Sequence, residues 1–505
     1  MKKILFLLAT GLTVSVSHSQ QVPDAVRFAQ DNITGTARFR AMSGAFGAVG
    51  GDLSATTVNP AGSAIFNNNQ VGITLSNQNI ANDSQYFNGN PTTSKENSFI
   101  LNQAGGVFVF KNGNSNKGWN KITIGANYEN TNNFNSNTFS IGDNPNNSVA
   151  NYFLAYANGI PLGDIKNIDY RNQYYNEQQA YFGYEGYIIN PVNPSDNSNT
   201  IYTSNVPALS PGQAYYQENS VNERGYNSKI SFNIATSYND RIYFGANLNV
   251  HVTDYRRTSS FYEFNREPLT PNATISDITF NNDLYTYGNG FSFQLGTIAK
   301  VTEAFRLGLA YESNTWYELY DELSQSVYTT TQNNADETFY NNVNPNIINV
   351  YERYTLQTPG KVTFSAAYVF GKSGLISIDY AIKDYSNAKF KPTNDPDFTN
   401  TNQDISNQLT NNGELRVGAE YKINRLSLRG GYRFEGSPYK NGTTIGDTNS
   451  FSGGLGYNFG GTKLDLAYSY LERKSNQGFF TKGFTDGANI TSRLNNVSLT
   501  LLFEL

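Results

Sequence analysis

The 505 residues contain no cysteine and only two histidines. A disulfide framework is excluded, and a zinc site or a histidine-based nucleophilic triad has almost nothing to be built from. Charge is sparse as well. Asp, Glu, Lys and Arg together make 15% of the chain, and the net charge is −5. With no basic surplus, nucleic acid is not an expected partner. Beyond the first residues no window holds eighteen consecutive apolar residues, so no helical membrane span is expected. The expectation is a chain with no enzymatic activity, no cofactor and no metal.

What the chain does hold is aromatic residues, 36 Tyr and 33 Phe, with 44 Gly. A mean hydropathy of −0.50 is too polar for a helical membrane bundle. It suits a membrane barrel, because only half of each spanning strand faces lipid and aromatic residues belt both interfaces. The C-terminus shows the pattern plainly. Val497, Leu499, Leu501, Phe503 and Leu505 alternate with Ser498, Thr500 and Glu504, with Leu502 the one lapse. Alternate strand residues point to opposite faces, so this segment has one apolar and one polar side. Leu415, Val417, Ala419 and Tyr421 oppose Glu414, Arg416 and Glu420; Leu464, Leu466 and Tyr468 oppose Lys463 and Asp465. A charge facing lipid at mid-depth costs about 2–4 kcal/mol, so these charges should point into a lumen.

Connector lengths give the topology. Asn239-Asp240, Ile423-Asn424 and Gly460-Gly461 are tight turns, whereas 80–97, 143–225, 331–345, 391–410 and 475–488 are long. Short periplasmic turns alternating with long outer loops mark a bacterial outer-membrane barrel. The fold class read here is all-β: a 14-stranded antiparallel transmembrane β-barrel with an N-terminal hatch, or plug, inside the lumen. Residues 1–19, with Lys2, Lys3 and the run from Ile4, read as a signal peptide ending before Gln20. Residues 20–66, rich in Gly and Ala, are the expected plug, and 67–505 the barrel, with a long extracellular loop at 143–225. An even strand count places both strand termini in the periplasm. Gly371-Lys372-Ser373 lacks the glycine cradle and helix of a phosphate loop.

The block Gly35-Thr36-Ala37-Arg38, Ala41-Met42-Ser43-Gly44-Ala45-Phe46, Asp52-Leu53-Ser54-Ala55 and Asn59-Pro60-Ala61-Gly62 resembles the FadL/TodX family of outer-membrane transporters, in the branch found in Bacteroidetes-type bacteria. Thr358-Pro359 with Lys361–Tyr368 and Ile376–Tyr385 adds a second likeness. Such barrels usually end in an aromatic residue, and this one ends in Leu505. The resemblance implies passive uptake of hydrophobic small molecules, with long-chain fatty acids the expected cargo. It also implies a landing groove outside, an internal pocket gated by the hatch, and lateral release through a kinked wall strand.

The residues assigned to those parts are as follows. Tyr152, Phe153, Leu154 and Tyr156, on a short amphipathic helix, form the extracellular groove, or else only the loop's own core. Phe39 and Phe46 contact the cargo's tail, and Arg38 or Arg40 its carboxylate, unless the arginines pair with lumen acids such as Glu420 or Asp465. Asn59, Pro60, Ala61 and Gly62 shape the end of the hatch, and Asn130, Asn132 and Asn133 interrupt the third strand as its kink. The expected partners are a hydrophobic ligand such as a fatty acid or detergent-like molecule, membrane lipids and lipopolysaccharide. The alternatives are a barrel serving as a subunit or shuttle in protein export or surface assembly, with a protein partner in the outer membrane, and a hemin receptor.

Overall fold

The computed structural model describes residues 20–112, 118–267, 271–335 and 337–505. The expected signal peptide lies outside the described residues. Fourteen antiparallel wall strands follow one another in chain order and close on themselves. They are β1 (Gln70–Gln85), β2 (Thr92–Lys111), β3 (Trp119–Asn133, resuming as Ser136–Asn144), β4 (Tyr215–Tyr238), β5 (Ile242–Phe264), β6 (Thr274–Lys300) and β7 (Phe305–Glu312, resuming as Trp316–Gln332). Next come β8 (Tyr354–Gln357, resuming as Lys361–Val369), β9 (Gly374–Asp384), β10 (Asn411–Ile423), β11 (Leu426–Glu435), β12 (Ile445–Asn458), β13 (Thr462–Ser475) and β14 (Asn489–Glu504). The seam runs from Gln70 opposite Glu504 to Gln85 opposite Asn489. Closure leaves no free sheet edge at the seam, which is the condition for strands to exist in lipid.

The faces divide as the alternation requires. Phe232, Leu248, Leu295, Phe364, Leu466 and Leu499 stand exposed on the outside, while Arg416, Glu420 and Asp465 are buried within. An apolar belt of this extent is stable only against lipid. Several wall strands outrun the membrane. β4, β5 and β6 have 24, 23 and 27 residues, where about 9–11 suffice to cross. Two expected loops are therefore shorter than their polar composition suggests. Strand β4 begins at Tyr215, so the long loop occupies 145–214, and β1 and β2 run on to leave only 86–91 between them.

Residues 20–66 lie inside the cylinder. Small residues let the plug's backbone touch the wall: a Cβ at Gly308 would collide with the Gly47 carbonyl, and one at Gly245 with Pro60. Polar wall groups then satisfy the plug's irregular backbone. Asp379 accepts from the amides of Phe46 and Gly47 at 3.0 Å, Thr500 Oγ1 from Ala37 N at 2.7 Å, and Lys121 Nζ donates to Ala64 O at 2.9 Å. The described chain starts high in the lumen and descends. Helix α1 (Val22–Ala29) packs beside α6 (Pro396–Gln408) in an outer loop, sharing a core with Phe398 and Ile405. Helix α2 (Ala37–Ala41) lies lower, against β12 and β13.

The outer mouth is roofed by α3 (Ala150–Ala157), α4 (Leu162–Lys166) and α5 (Tyr175–Glu185). Their apolar residues meet Phe261, Phe280 and Val327 from the projecting wall in one core.

Candidate functional site

The chain holds a cavity of 440 Å³ between plug, roof and wall. Asp24, Arg27, Gln30 and Asp31 line it from the plug, Tyr152 and Tyr175 from the roof, and Phe479 and Phe480 from the 476–488 loop. Its walls mix Ile80, Phe134, Leu284, Leu323, Ile490 and Leu494 with Arg257, Arg433 and Arg473. The volume is that of a small-molecule site.

One side of the cavity is a defect in the barrel wall. The β2–β3 ladder runs only from Lys111 opposite Lys121 to Gln103 opposite Glu129. Above it, Thr92–Leu101 keeps its pairing to β1 and forms no ladder to β3 among the described residues. Thr131 is extruded as a bulge between Asn130 and Asn132 against β4, and regular pairing stops at Asn133. Phe134 then turns inward onto Phe28 at 6.3 Å and Tyr255 at 5.1 Å. The strand resumes at Ser136, still paired to β4 but lying against the inner side of β1 and β2. There Ser84 and Ser140 hydroxyls meet at 2.7 Å, and Asn135 Nδ2 donates to Ser98 Oγ at 3.0 Å. Backbone pairing is replaced by single side-chain bonds. Opposite the break, Gly225 has φ +114° and sits so close to Asp254 that a Cβ would strike its carbonyl. Only glycine fits this position. Asn130, Asn132 and Asn133 thus lie at the break, Asn132 and Asn133 on the cavity wall.

The plug residues expected to meet cargo are committed elsewhere. Arg38 Nε donates to Glu420 at 2.9 Å and Nη1 to the Gly51 carbonyl at 3.1 Å, with its guanidinium 5.1 Å from the Phe46 ring. Glu420 also accepts from Arg429, which continues to Asp465. Arg38 is therefore a plug anchor and not a carboxylate receptor. Phe39 and Phe46, 4% and 0% exposed, pack on each other at 5.4 Å inside the plug's core and do not line the cavity. Arg40 has no carboxylate within ion-pair distance among the described residues. Its nearest polar contact is Ser469 Oγ at 3.4 Å. Burial lowers its pKa to about 10, with Glu129 opposing. It faces a narrow crevice of 30 Å³, below the main cavity. Asn59 caps the turn Pro60–Ile65, its Oδ1 accepting from Ala61 N at 3.1 Å while Nδ2 donates to Gly47 O and Thr297 O. Pro60, Ala61 and Gly62 are buried behind it.

The residues assigned to the extracellular groove pack into the roof's own core. Phe153 is 0% exposed and Tyr156 is buried under Lys482, 4.8 Å from its ring. Leu154 packs on the same core from its edge. Helix α3 is apolar on most of its circumference, so it sinks into the roof. Tyr152 alone of the four reaches the cavity, its hydroxyl held by Gln179 Oε1 at 2.9 Å. His251, on the inward face of β5, is also buried, within 2.9 Å of Ser292 Oγ.

None of the four arginines that line the cavity, Arg27, Arg257, Arg433 and Arg473, stood out in the sequence. Arg473 donates to Gln30 Oε1 at 3.1 Å, and neither Arg257 nor Arg473 has a carboxylate within 4.0 Å among the described residues. Nearby, Asp31 bridges Lys361 and Lys383 at 3.0 and 2.8 Å. Burial raises its pKa, but the two lysines outweigh that and hold it well below the usual carboxylate range.

A closed fourteen-stranded cylinder with an apolar outer belt and an internal plug defines an integral protein of the bacterial outer membrane, of the class that moves solutes past a stopper. A profile of the family "Outer membrane protein transport protein (OMPP1/FadL/TodX)" matches residues 192–497. The chain belongs to that family, whose members are transport channels, and is an outer-membrane transporter of hydrophobic compounds. A FadL homologue of Pseudomonas aeruginosa shares the fold at TM-score 0.54 and 12% identity, over 94% of this chain and 99% of that one. The toluene transporters TbuX of Ralstonia pickettii (14% identity) and TodX of Pseudomonas putida (12%) align at TM-score 0.47, each over 94% of this chain, with 99% and 100% of their own length. No curated protein matches in sequence.

Proposed function

We propose that the chain takes up amphipathic molecules with an apolar body and an anionic group, long-chain fatty acids among them. Cargo enters the cavity beneath the roof and leaves sideways between β2 and β3. The observation that carries this reading is the meeting of cavity and wall defect: Asn132, Asn133 and Phe134 belong to both. The apolar lining stabilises a tail at about 25 cal/mol per Å² of apolar surface buried. Arg257 and Arg473 offer the anion charge-assisted hydrogen bonds. Sideways exit delivers an apolar molecule into the membrane without crossing periplasmic water. The hatch gates the floor of the cavity, its α1 segment moving and its lower anchors staying fixed.

The test is a removable staple. Ser98→Cys with Asn135→Cys places two thiols where a 3.0 Å hydrogen bond now joins β2 to β3. The chain has no other cysteine to interfere. Oxidised, the pair should stop uptake of radiolabelled oleate by cells, and reduction should restore it. Full uptake with the disulfide formed would remove the lateral route.

A further inference from the structure

We propose that the outer face of the wall above the membrane binds the uncharged sugar units of outer-leaflet glycolipids. This surface lies on the opposite side of the wall from the transport cavity. Where β4, β5, β6 and β7 outrun the lipid, their outward residues fall into two rows by register. One row is Ser220, Ser260, Asn281 and Ser326; the next is Asn222, Thr258, Asp283 and Ser324. These eight side chains form the floor of a shallow groove of 550 Å³, closed on one side by Asn344–Ile348.

Composition and position point to the same occupant. Seven of the eight floor groups are hydroxyls or amides, which both donate and accept, as sugar hydroxyls require. The single charge, Asp283, is neutralised by Arg256, whose Nε lies 2.9 Å from Oδ1. An uncharged ligand therefore fits, and a phosphate does not. Small side chains set the groove between taller ones. Below the floor runs a row of Arg224, Arg256, Tyr285 and Glu322, and then the row Tyr226, Asp254, Tyr287 and Tyr320, with Tyr287 and Tyr320 stacked at 5.4 Å; above stand Tyr262 and Tyr328 with Glu218 and Thr279. Tyrosines in such places offer an apolar ring and a polar tip. The next row down holds Val252 beside Asn289 and Glu318, and the row Ile230, Val250, Phe291 and Trp316 below it, exposed and apolar, is the top of the membrane belt. The groove thus opens several strand rows above the apolar belt, on the wall face that looks onto the saccharides of membrane-anchored glycolipids.

The experiment uses the purified full-length barrel in detergent and one probe: the core oligosaccharide of enterobacterial lipopolysaccharide, stripped of lipid and phosphate. Saturation-transfer NMR should show the sugar bound to the native protein. Ser260→Trp with Ser324→Trp, which fills the groove, should weaken that binding at least tenfold and, in cells carrying the variant, leave oleate uptake unchanged. Asn222→Ala with Asn281→Ala, a milder pair, should weaken it severalfold without risk to folding, checked by heat-modified gel mobility. Absence of binding to the native barrel would overturn the proposal, as would equal binding by folded variants. Displacement of the sugar by lipid A alone would also overturn it.

Discussion

Glu420 holds two arginines at once, Arg38 of the plug and Arg429 of the wall, and its carboxylate is wholly buried. Removing one member of a buried ion pair leaves an uncompensated charge, at a cost of about 3–5 kcal/mol. Arg429 would keep Asp465, so the loss falls on Arg38 and the plug. Glu420→Ala should therefore raise the frequency of brief conducting events in planar bilayers while the barrel still migrates as folded. A silent trace identical to the native protein would show that this anchor is dispensable. The cavity arginines carry a different expectation. A hydrogen bond to a charged group contributes about 1.5–3 kcal/mol, or roughly 10–100-fold in affinity. Arg473→Ala with Arg257→Ala should weaken oleate binding by that order and leave binding of the corresponding alcohol unchanged, measured by calorimetry. Asp31 links the plug to pH. Its folded-state pKa is depressed by Lys361 and Lys383. The linkage sign follows: its contribution is full above the ordinary carboxylate value of about 4 and disappears as pH falls through the lower folded value. The side chain is half open to the lumen, so each pair is worth no more than about 1 kcal/mol. Hydrogen exchange in α1 should speed up over that acidic window, and Asp31→Asn should abolish the pH dependence.

At the scale of the element, β3 is the informative strand. Its lower half pairs on both sides, and its upper half pairs only with β4. Gly225 permits the break, because its left-handed φ and the nearby Asp254 carbonyl exclude any side chain. Gly225→Val should cost several kcal/mol through strain and collision. It should displace Phe134 and reduce oleate uptake more than it reduces the amount of folded barrel; uptake in proportion to folded protein would deny the break a role. The same strand shows what a sequence exposes. Lipid makes alternation visible, so every wall strand could be recognised wherever one face must be apolar, as in Ile230, Phe232 and Ile234. Above the lipid both faces are polar, so Tyr215–Gly225 and Ile80–Gln85 look like loop although they are strand. The Asn-rich run 130–135 marked an irregularity without revealing that Phe134 turns inward. Arg38 could be paired with Glu420 on the expectation that lumen charges neutralise one another. Nothing in the chain distinguished Arg257 or Arg473 from other inward arginines, because their lack of a carboxylate neighbour exists only in three dimensions. Phe39 and Phe46 misled for a related reason. An aromatic residue in a glycine-rich plug can fill the plug's own core as well as a ligand site.

For the whole molecule, the anchoring of the plug decides how anything can pass. Its lower part is bonded around the inner circumference, to Asp379 in β9, Thr500 in β14, Lys121 in β3, Asn247 in β5 and Thr297 in β6. Each bond contributes about 0.5–1.5 kcal/mol, and breaking one inside the lumen strands a buried polar group at a further cost. Expelling the plug would break many together, whereas shifting α1 disturbs mainly the contacts around the upper cavity. Transport with the lower plug in place is the cheaper route, and a plug that stays seated is expected to bar a continuous water path from mouth to periplasm. The native barrel should accordingly show no sustained ion conductance in planar bilayers while still mediating oleate uptake in cells. A variant lacking residues 20–66 should insert, because the closed wall ladder does not depend on the plug, and should conduct ions steadily. If the native protein conducts as strongly as that variant, the plug does not seal the lumen. If the variant stays closed, the roof is the barrier, and the gate must be sought among α3, α5 and Phe479-Phe480.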